Sequence, residues 1–327
     1  MASLSKLDAR ILDARLLDAR LGATGPAGSF AGRPRYNTQI MTRFIDTSQP
    51  LTKPLAPHIS GKPSVRYGQY WDADLQSYMY LQKFVKADPG WMNHLAKTAL
   101  ANGTRSQFMD PEQLDREVRQ MLDLAPEREE RFVEIMDQDD ADGATNYWFG
   151  SLQVSPSRNP ATYLMVRVGR RIGEHVVMCL KGMFRSPRPS QLCPAIVPMI
   201  DPPSTPSFPA GHAVQAYLIS YLLAYSLPRL PQQYIPEDDL NAASGMLFTL
   251  AERVSVNRIV AGLHYPTDIL AGRAVGIACF KALTQIDSLW SLNDLTGKLD
   301  EFDVALPGGQ VGKSLRALVQ DELPQYV

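Results

Sequence analysis

The sequence predicts an all-α fold, and the apolar periodicity carries that prediction. From about residue 72 onwards, apolar residues recur with the spacing of amphipathic helices, while strong alternating segments typical of strands are scarce. Stretches rich in proline separate the helical runs and are typical of loops. A chain of 327 residues can bury a large core, as one long domain or two short ones.

Eight segments have the helical pattern. In chain order they are Asp72–Lys86, Trp91–Ala101, Pro111–Leu124, Glu127–Met136, Ala161–Met183, Gly211–Ser226, Glu237–Val260 and Pro266–Gln285. The long helix from Ala161 brings Lys181 close to its C-terminal end. The proline-rich loop after that helix carries Arg188 and returns to His212.

The regions outside these helices differ in composition. Residues 1–65 are predicted to be an N-terminal helical and extended arm, since Leu-Asp-Ala-Arg occurs three times within residues 7–20 and Gly, Pro, Ser and Thr follow. Residues 66–290 are predicted to be one all-α catalytic domain, with its motifs in residues 160–285. Residues 291–327 are predicted to be a C-terminal extension.

Composition and charge exclude some classes of function. A net charge of −1 provides no basic face for nucleic acid. Cys179, Cys193 and Cys279 form no C-x-x-C pair and favour a reducing compartment. No secretory signal is visible, and the longest apolar run, Ala213–Leu227, is shorter than a membrane span. We therefore expect a soluble, cytoplasmic protein with no integral membrane segment.

Three motifs concentrate the chemistry of the chain: K-x6-R-P from Lys181, P-x-G-H from Pro209 and R-x5-H-x3-D from Arg258. Together they hold cations, imidazoles and a carboxylate. These residues are Lys181, Arg188, Arg258, His212, His264 and Asp268. This is the set needed to hold a tetrahedral oxyanion and to move a group on or off it.

Each residue type has a distinct use at an oxyanion. Lys181 provides a point charge, and Arg188 and Arg258 provide planar forks that can bind two oxygens at once. Gly211 offers a backbone N–H without a side chain in the way. His212 opens an apolar helical run, so it is expected at a helix N-terminus, where an anion is favoured.

The second histidine has a carboxylate one helical turn away. Asp268 at this spacing can accept the N–H of the His264 imidazole, which leaves the other ring nitrogen with its lone pair. We therefore predict that His264 is the nucleophile or ligand and Asp268 its orienting partner. His212 is predicted to be the general acid for the leaving group.

These motifs resemble the type-2 phosphatidic acid phosphatase superfamily, which includes bacterial class A acid phosphatases and vanadium-dependent haloperoxidases. The resemblance covers about residues 160–285 and implies an all-α helical bundle with its active site between core helices. In the phosphatases, the residue matching His264 becomes a phospho-histidine, the one matching His212 protonates the leaving oxygen, and the one matching Asp268 steadies the nucleophile. In the haloperoxidases, the position of His264 ligates vanadate.

The chain departs from the family pattern at two positions. Ala210 replaces the serine of P-S-G-H, and Asn257, which can still hydrogen-bond, replaces the serine before the last arginine. Thr205 stands where many haloperoxidases have a histidine or aromatic residue near the halide. The predicted phosphate- or vanadate-binding set is Lys181, Arg188, Gly211, Arg258 and Asn257.

The leading functional hypothesis is a soluble, metal-independent phosphoesterase without a cofactor, acting on a small-molecule phosphate ester. One alternative is a vanadate-dependent haloperoxidase that oxidises halide with hydrogen peroxide and uses His264 as the vanadate ligand. A further alternative acts on a diphosphate such as a prenyl diphosphate, and a non-enzymatic anion-binding protein is the remaining one. The resemblance makes a homodimer one option and leaves the oligomeric state open.

Two other segments imitate known motifs. Residues 302–314 nearly match a P-loop, but Pro307 replaces its first glycine and too little chain follows for a parallel sheet. The run Asp137–Gly143 suggests a calcium loop, but the ligand spacing is wrong and Trp148 occupies the position of the final glutamate. We interpret that run as a solvated turn.

Overall fold

The structure of the protein, a computed structural model, describes residues 72–102, 110–139, 142–227, 245–284 and 315–324. Its helices are α1 Ala73–Ala87, α2 Trp91–Asn102, α3 Pro111–Leu124, α4 Phe132–Asp137, α5 Gly143–Leu152, α6 Pro160–Phe184, α7 Pro189–Leu192, α8 Gly211–Ser226, α9 Met246–Val260, α10 Pro266–Thr284 and α11 Leu315–Glu322. A 3₁₀ turn, Ala125–Arg128, lies between α3 and α4. The described residues contain no strand, and the predicted all-α fold is confirmed.

Helix α8 is the central element of the bundle. It packs against α6, α9 and α10, and most of its side chains are buried on every side. A helix that is apolar all round belongs in a core rather than at a surface. The N-terminus of α8 is therefore held by three neighbouring helices.

Two glycines of α10 allow an especially close approach to α8. A Cβ at Gly272 would lie 2.7 Å from the carbonyl oxygen of Ala210, and a Cβ at Gly276 would lie 2.7 Å from that of Val214. Real Cβ atoms do not approach backbone oxygens this closely, so a side chain at either position would force the helices apart. The backbone of α10 thus lies directly against the first turns of α8.

The long helix α6 ends just before the proline-rich loop that carries Arg188. Arg185 caps it in a left-handed conformation, with φ of 49°, and its N–H donates to the carbonyl of Lys181 at 2.9 Å. Pro187 follows two residues later and disfavours continuation of the helix. Lys181 therefore lies in the last turn of α6, and Arg188 lies just beyond it.

Most predicted helices match observed ones, but some parts differ. Helix α5 was not predicted, because the acidic run before it was interpreted as a solvated turn. Glu237, the predicted start of the helix that ends at Val260, lies outside the described residues, and α9 is described from Met246. The predicted arm 1–65, with its Leu-Asp-Ala-Arg repeat, and the P-loop-like segment 302–314 also lie outside them. The domain boundaries stay a prediction.

The C-terminal helix α11 packs against α6 and caps it. The Glu322 carboxylate accepts hydrogen bonds from the backbone N–H groups of Ala161 and Thr162, both at 2.8 Å, and from the Thr162 hydroxyl at 2.8 Å. The residue at the N-cap position itself, Asn159, makes no such bond from its side chain. A carboxylate from a distant part of the chain therefore satisfies free donors at the start of the helix that carries Lys181.

Replacing Glu322 with alanine is expected to lower the free energy of unfolding by about 1–3 kcal/mol, because buried helix donors lose a charged acceptor. Thermal denaturation measures the change. Glu129, an exposed carboxylate, provides the matched control, and Glu129→Ala should leave the melting temperature nearly unchanged. Equal melting curves for the two variants would contradict the capping role.

Candidate active site

His264 and Asp268 form a buried pair at the start of α10. Nδ1 of His264 lies 3.2 Å from Oδ2 of Asp268, and both side chains are almost completely buried. The same carboxylate oxygen accepts from the backbone N–H of Tyr265 at 3.0 Å and from the hydroxyl of Ser207. Because a carboxylate only accepts, Nδ1 carries the imidazole proton and Nε2 has the lone pair.

Arg188 faces that lone pair. Its Nη1 donates to Nε2 of His264 at 3.2 Å and to the carbonyl of Leu263 at 3.0 Å. Its Nε donates to the carbonyl of Thr205 at 3.0 Å. Burial lowers the pKa of the Arg188 guanidinium to about 10 and lowers the pKa of His264 to about 3. His264 is therefore neutral at ordinary pH, with its lone pair directed at a cation.

Lys181 joins the same cluster from the last turn of α6. Its Nζ donates to the carbonyl of Pro206 at 2.6 Å and lies 3.5 Å from the hydroxyl oxygen of Thr205. Burial, together with the charge of Arg188, lowers the pKa of Lys181 to about 7. Thr205 and Pro206 thus hold both cations through oxygen atoms without neutralising them.

Arg258, near the end of α9, is completely buried and keeps unused donors. Its Nη2 donates to the carbonyl of Ile135 at 3.3 Å and to the side-chain oxygen of Gln138 at 3.0 Å. Its Nε and Nη1 are buried without an acceptor. Burial lowers the pKa of Arg258 to about 10. A buried guanidinium with free N–H groups is arranged to receive an anion.

His212 lies in the first turn of α8 and is fixed from the opposite side. Its Nε2 lies 2.9 Å from the backbone carbonyl of Gln138, so Nε2 carries a proton. Burial and the nearby Arg258 charge lower the pKa of His212 to about 3. The charge of Lys181 also lowers this pKa, so His212 lies within electrostatic range of the Lys181 cluster.

Gly211 and Ala210 form the entry to α8. The backbone N–H groups of the first helical turn have no intrahelical acceptor, as at any helix start. A Cβ at Gly211 would contact only Val177 Cγ1, at 3.4 Å, so the protein itself would accept a side chain there. Ala210 is fully buried in an apolar cluster and makes no side-chain cap.

Asn257 differs from its predicted place among the phosphate-binding residues. Its Nδ2 donates to Glu134 at 2.9 Å and to Gln138 at 3.2 Å, and its Oδ1 accepts from Arg131 at 3.0 Å. Both amide protons are used within the protein. In this arrangement Asn257 therefore supports the residues around Arg258 and offers no donor to an oxyanion.

Two residues of the site were not predicted. Ser207 bonds Asp268 and lies 3.4 Å from Nδ1 of His264, and its place in the Pro-Ser-Phe-Pro segment was the only signal for it. Gln138 lies in the acidic run that was interpreted as a solvated turn, yet its exposed fraction is 0%. Neither the run nor any other described part of the chain groups three side chains that could hold a metal ion.

The protein balances the charge of the site only in part. Lys181, Arg188 and Arg258 are all buried, and the Asp268 carboxylate acts on the first two while that of Asp139 acts on Arg258. Asp268 is also shared by Ser207, His264 and the backbone. Three buried cations with two carboxylates leave a net positive charge, which favours an anion among them.

Comparison with known proteins agrees with this chemistry. Residues 163–290 match the family model of the PAP2 superfamily, and this segment contains all three motifs. Residues 163–290 are thus similar to the PAP2 superfamily. The predicted resemblance is therefore confirmed at the level of the superfamily.

Curated proteins that resemble this chain are phosphatases. The decaprenylphosphoryl-5-phosphoribose phosphatase of Mycobacterium tuberculosis is 29% identical over 36% of this chain and 58% of its own length. The protein of the same name from Mycolicibacterium smegmatis is 30% identical over 34% of this chain and 52% of its own length. The chain thus spans a little over half of these relatives.

A solved PAP2 structure is also similar in sequence. It is a transmembrane PAP2-type phosphatidylglycerolphosphate phosphatase from Bacillus subtilis, 18% identical, covering 66% of this chain and 96% of that one, with a TM-score of 0.27. At that score the two backbones differ too much for the known structure to support a statement about the fold of this chain.

The predicted cytoplasmic location is wrong. The curated proteins that the chain resembles are phosphatases named for a decaprenyl-bearing compound, which points to membrane association. The prediction relied on the absence of a visible secretory signal and of an apolar run as long as a membrane span, although lipid-linked compounds are also met at membrane surfaces. Among the described helices, none is long and apolar enough to cross a membrane.

Proposed function

We propose that this protein is a phosphoric-ester hydrolase that uses His264 as its nucleophile and needs no metal or other cofactor. The observation that carries the proposal is the neutral His264, whose Nε2 lone pair faces the buried Arg188 in a site of net positive charge. A phosphate ester dianion would provide the missing counter-charge. PAP2 relatives that are phosphatases support the same class of reaction.

In the first step, Nε2 of His264 attacks phosphorus in line with the ester oxygen. A P–N bond forms while the P–O bond to the leaving group breaks, and Asp268 stabilises the charge on the imidazole through Nδ1–H. Lys181, Arg188 and Arg258 hold the equatorial oxygens as charge develops there. Water then cleaves the P–N bond, releases phosphate and restores the histidine.

His212 is proposed to protonate the leaving oxygen. Its Nε2–H is held by the Gln138 carbonyl, so the proton for the leaving group comes from Nδ1 once the imidazole is charged. The pKa of His212 is lowered in the free site by burial and by Arg258, and a bound dianion offsets that charge. With the dianion bound, Nδ1 of His212 takes a proton from solvent and passes it to the leaving oxygen, which returns the imidazole to its neutral form.

The relatives favour phosphatase chemistry over the alternatives. These relatives give no support to the haloperoxidase hypothesis. The prenyl diphosphate alternative stays a prediction, as do the homodimer and the exclusion of nucleic acid as a partner. The relatives' name includes a decaprenylphosphoryl group, so a lipid-linked phosphate is a reasonable first candidate for the substrate.

Release of inorganic phosphate tests the proposal. Chelator-treated protein should hydrolyse p-nitrophenyl phosphate, and orthovanadate should inhibit the reaction, because it is the oxyanion that resembles the five-coordinate transition state. Parallel assays with a prenyl diphosphate, and with bromide and peroxide after vanadate loading, separate the alternatives. Halide oxidation without hydrolysis of any phosphate ester would overturn the proposed function.

A further inference from the structure

Gln138 connects the two sides of the site from a position outside the three motifs. It follows α4 directly, and its N–H donates to the carbonyl of Glu134 at 3.0 Å, which closes the end of that helix. Its exposed fraction is 0%, so both its backbone and its amide are held inside the protein. One residue is thereby fixed between α8 and α9.

Its two oxygen atoms have different partners. The side-chain Oε1 accepts from Nη2 of Arg258 at 3.0 Å and from Nδ2 of Asn257 at 3.2 Å. The backbone oxygen lies 2.9 Å from Nε2 of His212 and accepts its proton. Gln138 therefore contacts the proposed leaving-group acid and one of the proposed oxyanion-binding cations at the same time.

The contact with Arg258 determines which donors remain available. With Nη2 used by Gln138 and by the carbonyl of Ile135, the Nε and Nη1 groups are the ones left without an acceptor. A planar guanidinium fixed along one edge presents its other edge in a defined direction. The amide thus orients the free edge without occupying it.

The neutrality of the amide matters as much as its position. Gln138 stands between Asp137 and Asp139, and Glu134 lies one turn earlier. The side chain that accepts from Arg258 is nevertheless the uncharged one. A carboxylate there would form a buried ion pair and cancel the charge that the oxyanion needs, whereas an amide oxygen holds the guanidinium and leaves its charge in place.

We propose that Gln138 is a positioning residue of this active site, which orients the free edge of Arg258 through its side chain and fixes the His212 imidazole through its backbone carbonyl. The proposal rests on the proposed function, since it assigns the residue to the same oxyanion site. It adds a residue from the acidic α4–α5 connection to a site otherwise built from α6, the loop after it, α8, α9 and α10.

The decisive variant is Gln138→Glu, which keeps the shape of the side chain and adds a carboxylate. At neutral pH we expect the affinity for orthovanadate and the kcat/KM for p-nitrophenyl phosphate each to fall by about ten- to a hundredfold. Losses of this size are typical when a residue that orients a ligand-binding side chain is replaced. The melting temperature should not fall, because the new carboxylate pairs with Arg258. Gln82→Glu, the same change at an exposed position of α1, should alter neither quantity.

A pH series separates positioning from a structural role. A protonated glutamate has the shape of glutamine and no charge, so the ratio of Gln138→Glu to wild-type vanadate affinity should rise as pH falls. Glu134, Asp137 and Asp139 are present in both proteins, so their contribution cancels in this ratio. A ratio that stays constant with pH, with the fold intact, would overturn the proposal.

A second variant covers the case in which the first does not fold. Gln138→Leu removes the acceptor without adding charge, and it should weaken vanadate binding in the wild-type background but not in an Arg258→Gln background. Equal weakening in both backgrounds would show that Gln138 does not act through Arg258. If the wild-type protein itself neither binds vanadate nor hydrolyses phosphate esters, the proposed function fails rather than this inference.

Discussion

His264→Ala is expected to leave no measurable turnover of a phosphate ester, a loss of about 10⁴-fold or more, because the nucleophile is gone and no other described side chain holds its place. The fold should survive, since the imidazole's partners, Asp268 and Arg188, keep other hydrogen bonds. Initial rates with p-nitrophenyl phosphate measure the loss. Retained activity would refute the assignment of His264 as nucleophile.

A control variant and a trapping experiment show whether the loss of activity in His264→Ala comes from the loss of the nucleophile. His94 is exposed on α2, and His94→Ala should hydrolyse the ester at the wild-type rate. Rapid acid-free quenching with a radiolabelled ester should trap phosphate on the wild-type chain and on Asp268→Asn, which lowers the rate but keeps the nucleophile. Label on His264→Ala would place the covalent intermediate on another residue.

Lys181→Met is expected to make the anion-free protein more stable and to abolish anion binding at the site. Methionine fills a similar volume without charge, so it removes the burial penalty that lowers the pKa of Lys181 to about 7. The gain is on the order of a few kcal/mol, reduced by the lost bonds to Thr205 and Pro206. Lys97→Met, at an exposed position of α2, should change little.

The pH dependence of this effect has a defined sign. Below about pH 7, Lys181 is charged in both the folded and the unfolded chain, and the destabilisation from burying that charge is complete. Above about pH 7 the folded chain releases the proton first, so the penalty shrinks as pH rises towards the ordinary lysine pKa. The advantage of Lys181→Met should therefore be largest in mild acid and disappear in alkali.

Phosphate should stabilise the wild-type protein more than Lys181→Met, which is opposite to the effect of the substitution in the absence of an anion. Bound phosphate stabilises the wild-type protein more strongly the higher its affinity, and the affinity for the phosphate dianion falls as pH rises above about 7, because Lys181 loses its charge. Lys181→Met should show little stabilisation by phosphate at any pH. Melting temperatures with and without phosphate, across pH, measure both effects. A variant less stable than wild type in mild acid, or one stabilised as strongly by phosphate, would contradict this account.

The sequence was sufficient for the parts of the site that follow from local spacing. Asp268 lies in the first turn of a helix that begins at Pro266, and His264 lies two residues before that helix, so their contact can be anticipated from their positions. Lys181 and Arg188 are joined by a short segment, which brings both cations to the end of α6. Such inferences need only helical geometry and the chemistry of each side chain.

Contacts across the fold could not be anticipated in the same way. Gln138 and Glu322 depend on the packing of distant elements, and the acidic surroundings of Gln138 indicated a solvated turn rather than a buried residue. Asn257 was expected to face an anion, but Glu134 and Gln138 compete for its amide protons. Periodicity identifies helices, whereas the choice of partner for a buried amide depends on the assembled structure.

The close contact of α10 with α8 has a consequence for where the site can be altered. Gly272 and Gly276 bring one main chain against another at Ala210 and Val214, on either side of Gly211 and His212, so peptide groups instead of side chains set the position of the first turn of α8. A larger residue at either glycine would displace the turn that carries His212. Variants designed to change what the site accepts should therefore leave these two glycines unchanged, together with Arg188 and Ser207 of the loop between Arg185 and Ala210.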